Sequence, residues 1–303
     1  MNKEVVLVTG GTGLIGNVLI PLLQNAGYEV IILSRSRKNE NSFLWDIDTN
    51  FVDKKAIIKS HHLIHLAGAS IADKPWSETR KKEIVDSRVN SAELMIKAFK
   101  QNHIELKTVV AASAIGYYGT ETSEHIYTEN DQAGRGFLAE TCVEWEKATH
   151  QFQQIAQRLV QLRIGVVLDK NGGALKKMAQ PIHFYAGAAL GTGKQYMPWI
   201  HVYDLCNMIL FALKNHHVNG TYNAVSSSYI NNDEFTHAIG KALLKPIVLP
   251  AIPAIVLKTV FGEMANMLLE GSRVSNQKIK QAGFEFKYDS IDKALQHIYS
   301  GLN

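Results

Sequence analysis

The stretch VVLVTGGTGLIG, residues 5–16, decides the fold. Four apolar residues, typical of a buried strand, are followed by TGGTGLIG and then by the helical pattern NVLIPLLQNAG. In a GxxGxxG turn, the first glycine makes a tight turn, the second lets the backbone approach a ligand, and the third allows close packing of helix on strand. These positions are Gly10, Gly13 and Gly16. The pattern predicts a Rossmann turn that binds the pyrophosphate of a dinucleotide.

Short apolar runs and helical patterns alternate to about residue 168. YEVIIL, HLIHLAG, TVVAAS and VQLRIGVVL are typical of strands, and SETRKKEIVDSRVNSAELMIKAFKQ is typical of a helix. This alternation predicts an α/β fold with a doubly wound parallel sheet. We expect residues 1–168 to form a Rossmann domain, with a returning segment at about 198–225. The more irregular residues 169–303 are expected to form a smaller C-terminal lobe on the substrate side.

Composition excludes some classes of protein. The chain has 303 residues, 46% of them hydrophobic, and a net charge of +4 with the basic residues scattered, so we expect no nucleic-acid partner. Two cysteines without a CxxC pair, and a start without signal-peptide anatomy, predict a reducing, cytoplasmic location. No HExxH motif or cluster of Cys and His is present in the sequence, so we expect no metal site.

One apolar stretch, AIPAIVLKTVFGEMANMLLEG at residues 251–271, could be mistaken for a membrane anchor. It contains Pro253, Lys258 and Glu263, so we expect that it does not span a membrane, and we expect no membrane partner. We interpret it as a buried or pocket-lining amphipathic helix, and a helix that binds a membrane surface or a partner is the alternative.

The end of the second strand indicates which dinucleotide is bound. Sites specific for NAD usually carry an acid there, which holds the ribose 2′-hydroxyl. Here the sequence is IILSRSRK, with Ser34, Arg35 and Arg37 and no acid. Guanidinium groups and a hydroxyl suit a 2′-phosphate, so we predict NADP(H) as the cofactor. The alternative is a solvated basic loop, which would leave the preference open.

Seven segments together resemble an epimerase-like branch of the atypical short-chain dehydrogenases. They are TGGTGLIG, HLAGASI (65–71), PWSETRKKEIVDSRVNS (75–91), ASAIGYYG (112–119), LRIGVVL (162–168), PWIHVYDL (198–205) and QAGFEFKY (281–288). The branch is similar to the extended sugar-nucleotide epimerases and has a small C-terminal domain of its own. The resemblance runs nearly end to end. It implies an NADP(H)-binding Rossmann domain and a lobe that covers a cleft at the carboxyl ends of the strands, but no particular substrate.

The glycine turn, the end of the second strand and the family resemblance together predict a set of cofactor-binding residues. They are Gly10, Thr12, Gly13, Leu14, Ile15, Gly16, Ser34, Arg35, Arg37, Leu66, Ala67, Gly68 and Arg88.

The stretch GFLAETCVEWE, residues 136–146, lacks an expected lysine. Ordinary members of the superfamily use a Ser or Thr, a Tyr, and a Lys one helical turn after the Tyr, which lowers the Tyr pKa. Alignment puts Phe137 and Thr141, or Leu138 and Cys142, at the Tyr and Lys positions. Both catalytic groups are therefore missing, and the resemblance implies that this absence is typical of the branch.

Three residues remain as candidate catalytic groups. Ser113, after the strand TVVAA, falls within one position of the superfamily serine, and Tyr117 and Tyr118 follow in a glycine-bounded loop. The alternatives are that Ser113 caps a strand end and that the tyrosines pack against the second lobe. Asn90 falls where related enzymes keep an asparagine that supports the active site.

Three further residues are weaker candidates. Glu140 could act as a base and Cys142 as a nucleophile, but two residues apart on a helix they cannot face the same way. We therefore expect a solvated Glu140 and a buried Cys142. We expect His201 to have a structural role.

Two functions are compatible with these features. The first is an NADP(H)-dependent oxidoreductase or epimerase of a small or nucleotide-linked hydroxyl compound. The second is a non-catalytic NADPH-binding protein with a regulatory or partner-binding role, and the names of relatives in this branch include a cell-division inhibitor. The missing Tyr and Lys favour the second, whereas the intact glycine turn and the cleft-forming lobe favour the first. The chain is expected to be a monomer or a homodimer.

Overall fold

The structure is a computed structural model that describes residues 3–36 and 40–300; the predicted Arg37 lies outside these ranges. The strands in chain order are β1 (Val5–Thr9), β2 (Glu29–Ser34), β3 (Ser42–Asp46), β4 (Phe51–Val52), β5 (His62–His65), β6 (Thr108–Ala114), β7 (Ile126–Tyr127), β8 (Leu159–Ile164), β9 (Val166–Leu168), β10 (Trp199–His201), β11 (Gly220–Ala224) and β12 (Arg273–Val274).

The α-helices are α1 (Leu14–Asn25), α2 (Lys54–Lys59), α3 (Glu78–Gln101), α4 (Phe137–His150), α5 (Gly173–His183), α6 (Val202–Lys214), α7 (Asn232–Ala242), α8 (Ala254–Phe261), α9 (Asn266–Leu269), α10 (Gln277–Gln281) and α11 (Ile291–Tyr299). Short 3₁₀ helices cover Ile115–Tyr118, Gln151–Gln154 and Gly262–Ala265.

Eight strands form the main sheet, in the order β11-β8-β6-β5-β1-β2-β3-β4. Every neighbouring pair is parallel except β3 and β4. The chain moves outward from β1 to one edge and then returns to build the other half, as in Rossmann sheets. The predicted α/β fold with a doubly wound parallel sheet is therefore confirmed.

Alternating residues of β1 supply the cores on both faces of the sheet. Val6 and Val8 pack with α1 and α6, whereas Val5 and Leu7 pack with α2 and α3. Because successive side chains of a strand point to opposite faces, a strand covered on both sides reads as a continuous apolar run. The sequence VVLV follows from this position at the centre of the sheet.

A separate core lies under α5, α7 and α11 and includes Trp199, Phe235 and Leu295. The sequence patterns missed α5, although Leu175, Ala179 and Ile182 are buried at helical spacing. The glycines that begin this segment made it resemble a loop.

Residues 251–271 do not form the single amphipathic helix that we expected, although Glu263 and Glu270 line the cavities described below. The segment divides into α8, a 3₁₀ turn and α9, and Leu257 is the buried residue of α8. Pro253 precedes α8, and Gly262 ends it at φ +57°, a conformation that favours glycine. No helix in residues 3–36 and 40–300 is long and apolar enough to cross a membrane.

Candidate nucleotide-binding and active site

The glycine turn joins β1 to α1 at the carboxyl edge of the sheet. Gly10 has φ +70°, and a Cβ atom there would lie 2.8 Å from the carbonyl oxygen of Leu66. A Cβ on Gly16 would lie 2.3 Å from the carbonyl oxygen of Gly11, so only glycine permits this approach of helix and turn. Gly13 is the N-cap of α1 and supplies no side-chain hydrogen bond. The partial positive charge of the helix start is thus left for an anion.

A buried relay of side chains fixes the loop after β5 beside this turn. The Thr9 hydroxyl oxygen accepts hydrogen bonds from the backbone N–H groups of Leu66, at 3.2 Å, and Ala67, at 3.3 Å. It also lies 3.0 Å from Nδ1 of His65, whose Nε2 lies 3.2 Å from the Ser91 hydroxyl on α3. The predicted residues Leu66 and Ala67 are therefore held against the glycine turn.

His65 is uncharged in this relay. Burial lowers its pKa to about 3. Because the Ser91 hydroxyl donates to the carbonyl oxygen of Arg88, we assign the proton of His65 to Nε2, which then donates to Ser91. Nδ1 accepts from Thr9. The relay links β1, β5 and α3 without an ion.

Arg88, a predicted cofactor residue, lies in the same region. Its Nη1 donates to the carbonyl oxygen of Ile84 at 2.8 Å, and its guanidinium lies over the ring of Trp145 at 4.8 Å. A Cβ on Gly68 would lie 3.2 Å from the Arg88 side chain. Burial lowers the pKa of Arg88 to about 10, which still leaves it charged at neutral pH. The structure therefore brings Gly68 and Arg88 together.

The remaining predicted cofactor residues lie around the turn or beyond β2. Ser34 is buried and its hydroxyl accepts from the N–H of Ser36 at 3.4 Å, whereas Arg35 is exposed. Thr12 is exposed, and Leu14 and Ile15 are half-buried at the start of α1. The residues at and after the end of β2, SRSRK at 34–38, include no acid. The exposed Arg35 is therefore available to bind a phosphate.

A buried network joins the carboxyl-end portions of β6 and β8 to α4. Ser113 is buried, and its hydroxyl donates to Oε1 of Glu146 at 2.7 Å. Nε and Nη2 of Arg163 donate to the two oxygens of the same carboxylate, at 2.8 and 2.9 Å. Burial by itself lowers the pKa of Arg163, but the Glu146 carboxylate raises it above its ordinary value. Glu146 is thus the shared acceptor for Ser113 and Arg163.

The two candidate tyrosines have different environments around Arg163. Nη1 of Arg163 donates to the Tyr118 hydroxyl at 2.9 Å, and that hydroxyl donates to Oδ1 of Asn223 on β11 at 2.7 Å. Burial raises the pKa of Tyr118 to about 12. Tyr117 is half-buried, and the guanidinium of Arg163 lies over its ring at 3.4 Å. The Tyr118 hydroxyl is committed to structural bonds, whereas Tyr117 offers a phenol beside a fixed positive charge.

The start of α4 confirms two expectations and shows what occupies the Tyr and Lys positions. Glu140 is exposed and Cys142 is buried, as expected, and burial raises the pKa of the Cys142 thiol to about 12. Phe137 packs edge-on against Trp76 at 4.8 Å. Thr141 donates to the carbonyl oxygen of Phe137 at 2.7 Å. Nζ of Lys81 on α3 lies over the ring of Phe137 at 5.5 Å and is paired with Glu78 at 3.3 Å.

His201 has the structural role that we expected. Its Nδ1 accepts from the N–H of Tyr203 as the N-cap of α6, and its ring stacks on Tyr288 at 4.2 Å. Its Nε2 lies 3.1 Å from Nδ1 of His297 on α11. Burial lowers the pKa of His201 to about 4. The residue therefore joins α6 to the C-terminal helix.

Two open cavities flank α4 and the 3₁₀ turn after β6. One, of about 550 Å³, lies between the starts of α3 and α4 and has Lys81, Phe137, Glu140 and Glu263 on its rim. The other, of about 460 Å³, is lined by Tyr118, Tyr127, Arg135, Glu121 and Glu270, among other residues. Across residues 3–36 and 40–300, no group of three or more His, Cys, Asp or Glu side chains could hold a metal ion.

Sequence reasoning missed the members of the buried network other than Ser113 and Tyr118. Glu146 looked like one of many surface acids of α4, and Asn223 like an ordinary strand residue. Arg163 carried a usable signal, because a charged residue at the centre of the apolar strand LVQLRIGVVL requires a buried partner.

The parallel sheet, the glycine turn and the relay through His65 define the class of the protein. It is a Rossmann-type α/β protein with a dinucleotide-binding type of turn. The NAD dependent epimerase/dehydratase family model matches residues 6–224, and a domain of unknown function, DUF1731, matches residues 252–298. The chain belongs to this epimerase family, which confirms the resemblance found in the sequence.

Relatives match almost the whole chain. Epimerase family protein Mb2239 of Mycobacterium bovis is 36% identical over 297 residues, 97% of both chains. Epimerase family protein SDR39U1 of Mus musculus is 32% identical over 297 residues, 97% of this chain and 99% of the relative. The crystal structure of human epimerase family protein SDR39U1 (isoform 2) with NADPH has a TM-score of 0.88 and 31% identity, covering 98% of this chain and 100% of that one.

Proposed function

We propose that the chain binds NADP(H) at the glycine turn and acts as an oxidoreductase or epimerase on a hydroxyl compound. The observation that carries the cofactor assignment is the uncapped start of α1 beside a glycine-only turn, combined with an exposed Arg35 and no acid after β2. The human relative whose structure contains NADPH supports the choice of NADP(H).

In this proposal the cofactor extends along the carboxyl edge of the sheet. The N–H groups of the first turn of α1, Leu14 to Gly16, bind the pyrophosphate, with Thr12 and Gly13 beside it. Ser34 and Arg35, with Arg37, hold the 2′-phosphate, and residues 66–68 with Arg88 bind further along the cofactor. The returning segment 198–225 completes the Rossmann domain, since β11 pairs with β8. Residues 169–303 otherwise form the lobe over the cleft.

For catalysis we propose that Tyr117 would transfer the proton to or from the substrate. Bound NADP(H) would supply or accept the hydride. Its ring lies under the guanidinium of Arg163, a fixed cation in a site that lacks the superfamily lysine. Glu146 orients Arg163 through two hydrogen bonds. Ser113 keeps an oxygen lone pair for a substrate hydroxyl while its proton is donated to Glu146. Tyr118 positions Arg163.

A fluorescence titration with NADPH and with NADH tests the cofactor. We expect NADPH to bind more tightly than NADH. Arg35→Ala should weaken the binding of NADPH by about tenfold and leave the binding of NADH unchanged, because only NADPH carries the 2′-phosphate. Lys214→Ala, which removes one exposed charge at the far end of α6, is the matched control. Equal affinity for both nucleotides in the wild type would contradict the NADP(H) proposal.

Hydride exchange tests the reaction. NADPH deuterated at C4 is incubated with the protein and a panel of aldehydes and ketones, and label transfer is measured. Once a substrate transfers label, Tyr117→Phe should lower kcat by about 100-fold or more, and Tyr203→Phe, with a partly exposed phenol, should not. A Tyr117→Phe enzyme with unchanged kcat would remove Tyr117 as the proton carrier.

The second candidate function is a non-catalytic NADPH-binding protein. It is favoured by Phe137 and Leu138 at the tyrosine position and by the Glu146–Arg163 network, in which Ser113, Glu146, Arg163 and Tyr118 bond to one another. NADPH binding without label transfer to any of the panel would support it. We propose a cytoplasmic location and a monomer or homodimer in either case.

A further inference from the structure

Exposed apolar side chains are concentrated in one part of the C-terminal lobe. Most of the large apolar residues that are exposed in the described chain lie at 184–185 and 244–260. The most prominent are Phe184 and Leu244, each 77% exposed, Val248 at 72% and Ile255 at 71%, with Val256 and Val260 beside them. We call these six residues the apolar face. A concentration of this kind marks an interaction surface more often than scattered exposure does.

Direct contacts hold the two segments of the apolar face side by side. Nζ of Lys245 donates to the Tyr185 hydroxyl at 2.7 Å and lies over its ring at 4.0 Å. A Cβ on Gly187 would lie 2.7 Å from Ile247. The N–H of Ile252 donates to the carbonyl oxygen of Ala189 at 2.8 Å, two residues before α8 begins. The turn after α5, the segment 244–252 and the start of α8 are therefore neighbours.

The helix α8 turns its outer side to solvent. Leu257 is its buried residue, Ile255 lies on the opposite side of the helix, and Val256 and Val260 are exposed at its flanks. Lys258 is exposed at the flank of this apolar side. A long lysine side chain in that position can hold its charge above a surface into which the aliphatic neighbours insert.

Charge identifies the kind of partner. The segments 170–203 and 235–262, which include the apolar face, contain no Asp or Glu and are bordered by Asp169, Asp204, Glu234 and Glu263. They contain seven lysines: Lys170, Lys176, Lys177, Lys194, Lys241, Lys245 and Lys258. Of these, Lys241 is paired with Asp292 at 3.0 Å, and Lys177 with Asp73 at 3.6 Å. Exposed aliphatic side chains with Lys245 and Lys258 among them complement an anionic lipid surface.

We propose that the apolar face docks the protein on the surface of an anionic membrane, with α8 lying in the interface. No helix crosses the bilayer in this proposal, and the nucleotide-binding turn at β1 takes no part in the docking. The proposal goes beyond the function proposed above, because a protein that failed to bind NADP(H) could still dock.

Flotation of the full chain with vesicles tests the docking. Vesicles of phosphatidylcholine and phosphatidylglycerol in equal parts should carry the protein upward in a density gradient, and vesicles of phosphatidylcholine alone should not. Raising the salt concentration should release it, because the attraction of lysines to anionic lipid is screened. The double variant Ile255→Ser/Val260→Ser should lose most of the binding. Lys258→Gln should weaken it by about fivefold.

A matched control distinguishes docking through the apolar face from non-specific binding through any exposed apolar side chain. Ile58→Ser removes an aliphatic side chain that is 53% exposed on α2, outside the apolar face, and should float like the wild type. Thermal unfolding and the NADPH titration are run on every variant to show that it is folded.

Three results would overturn the proposal. The first is a folded wild type that stays at the bottom of the gradient with anionic vesicles. The second is equal flotation of the double variant and Ile58→Ser. The third is a dimer in solution that the double variant dissociates, since the apolar face would then be covered by a second copy of the chain.

Discussion

The pair of Glu146 and Arg163 is the residue-scale feature on which the candidate site depends. Both side chains are largely buried, and the carboxylate accepts from Ser113 as well as from Arg163. Removing one charge from a buried pair leaves the other uncompensated, which costs about 3–5 kcal/mol. We therefore expect Glu146→Gln to lower the free energy of unfolding by about that amount, measured by urea denaturation.

A control on the same helix makes this prediction specific. Glu144→Gln changes an exposed carboxylate that lies 3.8 Å from Lys147, and surface pairs of this kind contribute about 0–1 kcal/mol. The Glu144 variant should therefore unfold at nearly the same urea concentration as the wild type. Equal losses in the two variants would show that the buried pair contributes no more than an exposed one.

The relay through His65 makes stability depend on pH. The pKa of His65 is lowered by burial from about 6.5 to about 3, so the unfolded chain takes up a proton that the folded chain does not. Stability from this group is present above pH 6.5 and is lost as pH falls toward 3, by about 1.4 kcal/mol per pH unit. The wild type should therefore become easier to unfold between pH 7 and pH 5.

His65→Asn shows whether His65 causes this loss. The variant is expected to be less stable than the wild type at pH 7, because it disrupts the bonds to Thr9 and Ser91. Its stability should nevertheless fall less steeply between pH 7 and pH 5, as measured by urea denaturation at each pH. Parallel curves for variant and wild type would assign the slope to other groups, such as His201.

At the scale of elements, the packing of α1 on the glycine turn is the most constrained junction. A Cβ on Gly16 would lie 2.3 Å from a backbone oxygen that cannot move without deforming the turn. We expect Gly16→Ala to cost about 1–3 kcal/mol of unfolding free energy and to abolish NADPH binding. Asn17→Ala, at the next position of the same helix, should change neither quantity measurably, because the Asn17 side chain is exposed to solvent. Retained NADPH affinity in Gly16→Ala would contradict the assignment of the turn.

Local signals made β1, the turn and α1 predictable from the sequence. A strand, a glycine turn and a helix are adjacent in the chain, and each has a residue pattern of its own. The Glu146 network could not be predicted in the same way. Ser113, Glu146, Arg163 and Asn223 are separated by tens of residues, and only the order of the strands in the sheet brings their side chains together.

The apolar segment 251–271 shows a different limit. Its composition predicted burial, because apolar residues are usually inside. Whether a helix is buried depends on what packs against it, and α8 is buried at Leu257 and half-buried at Ala254 and Phe261. The sequence contained the breaks at Pro253 and Gly262 but no information about the missing cover.

At the scale of the whole molecule, segments late in the chain connect the core of the main sheet to the separate core under α5, α7 and α11. The carboxylate of Asp204 on α6 accepts from the N–H groups of Lys287, at 3.0 Å, and Tyr288, at 2.8 Å. Asn223 on β11 accepts from Tyr118 and donates to the carbonyl oxygen of Ser275 at 3.0 Å. The site therefore lies where distant segments meet, and a ligand bound there should stabilise the fold as a unit.

This coupling predicts a selective thermal shift. A ligand at 100 times its dissociation constant stabilises the folded state by about 2.7 kcal/mol, which for a chain of this size raises Tm by roughly 5 °C. We expect NADPH to give this shift and NADH at the same concentration to give a smaller one, measured by differential scanning calorimetry. Arg35→Ala should remove the difference between the nucleotides, and Lys214→Ala should keep it. If NADH and NADPH raised the wild-type Tm equally, the residues after β2 would not select the cofactor, whereas the glycine turn would still bind it.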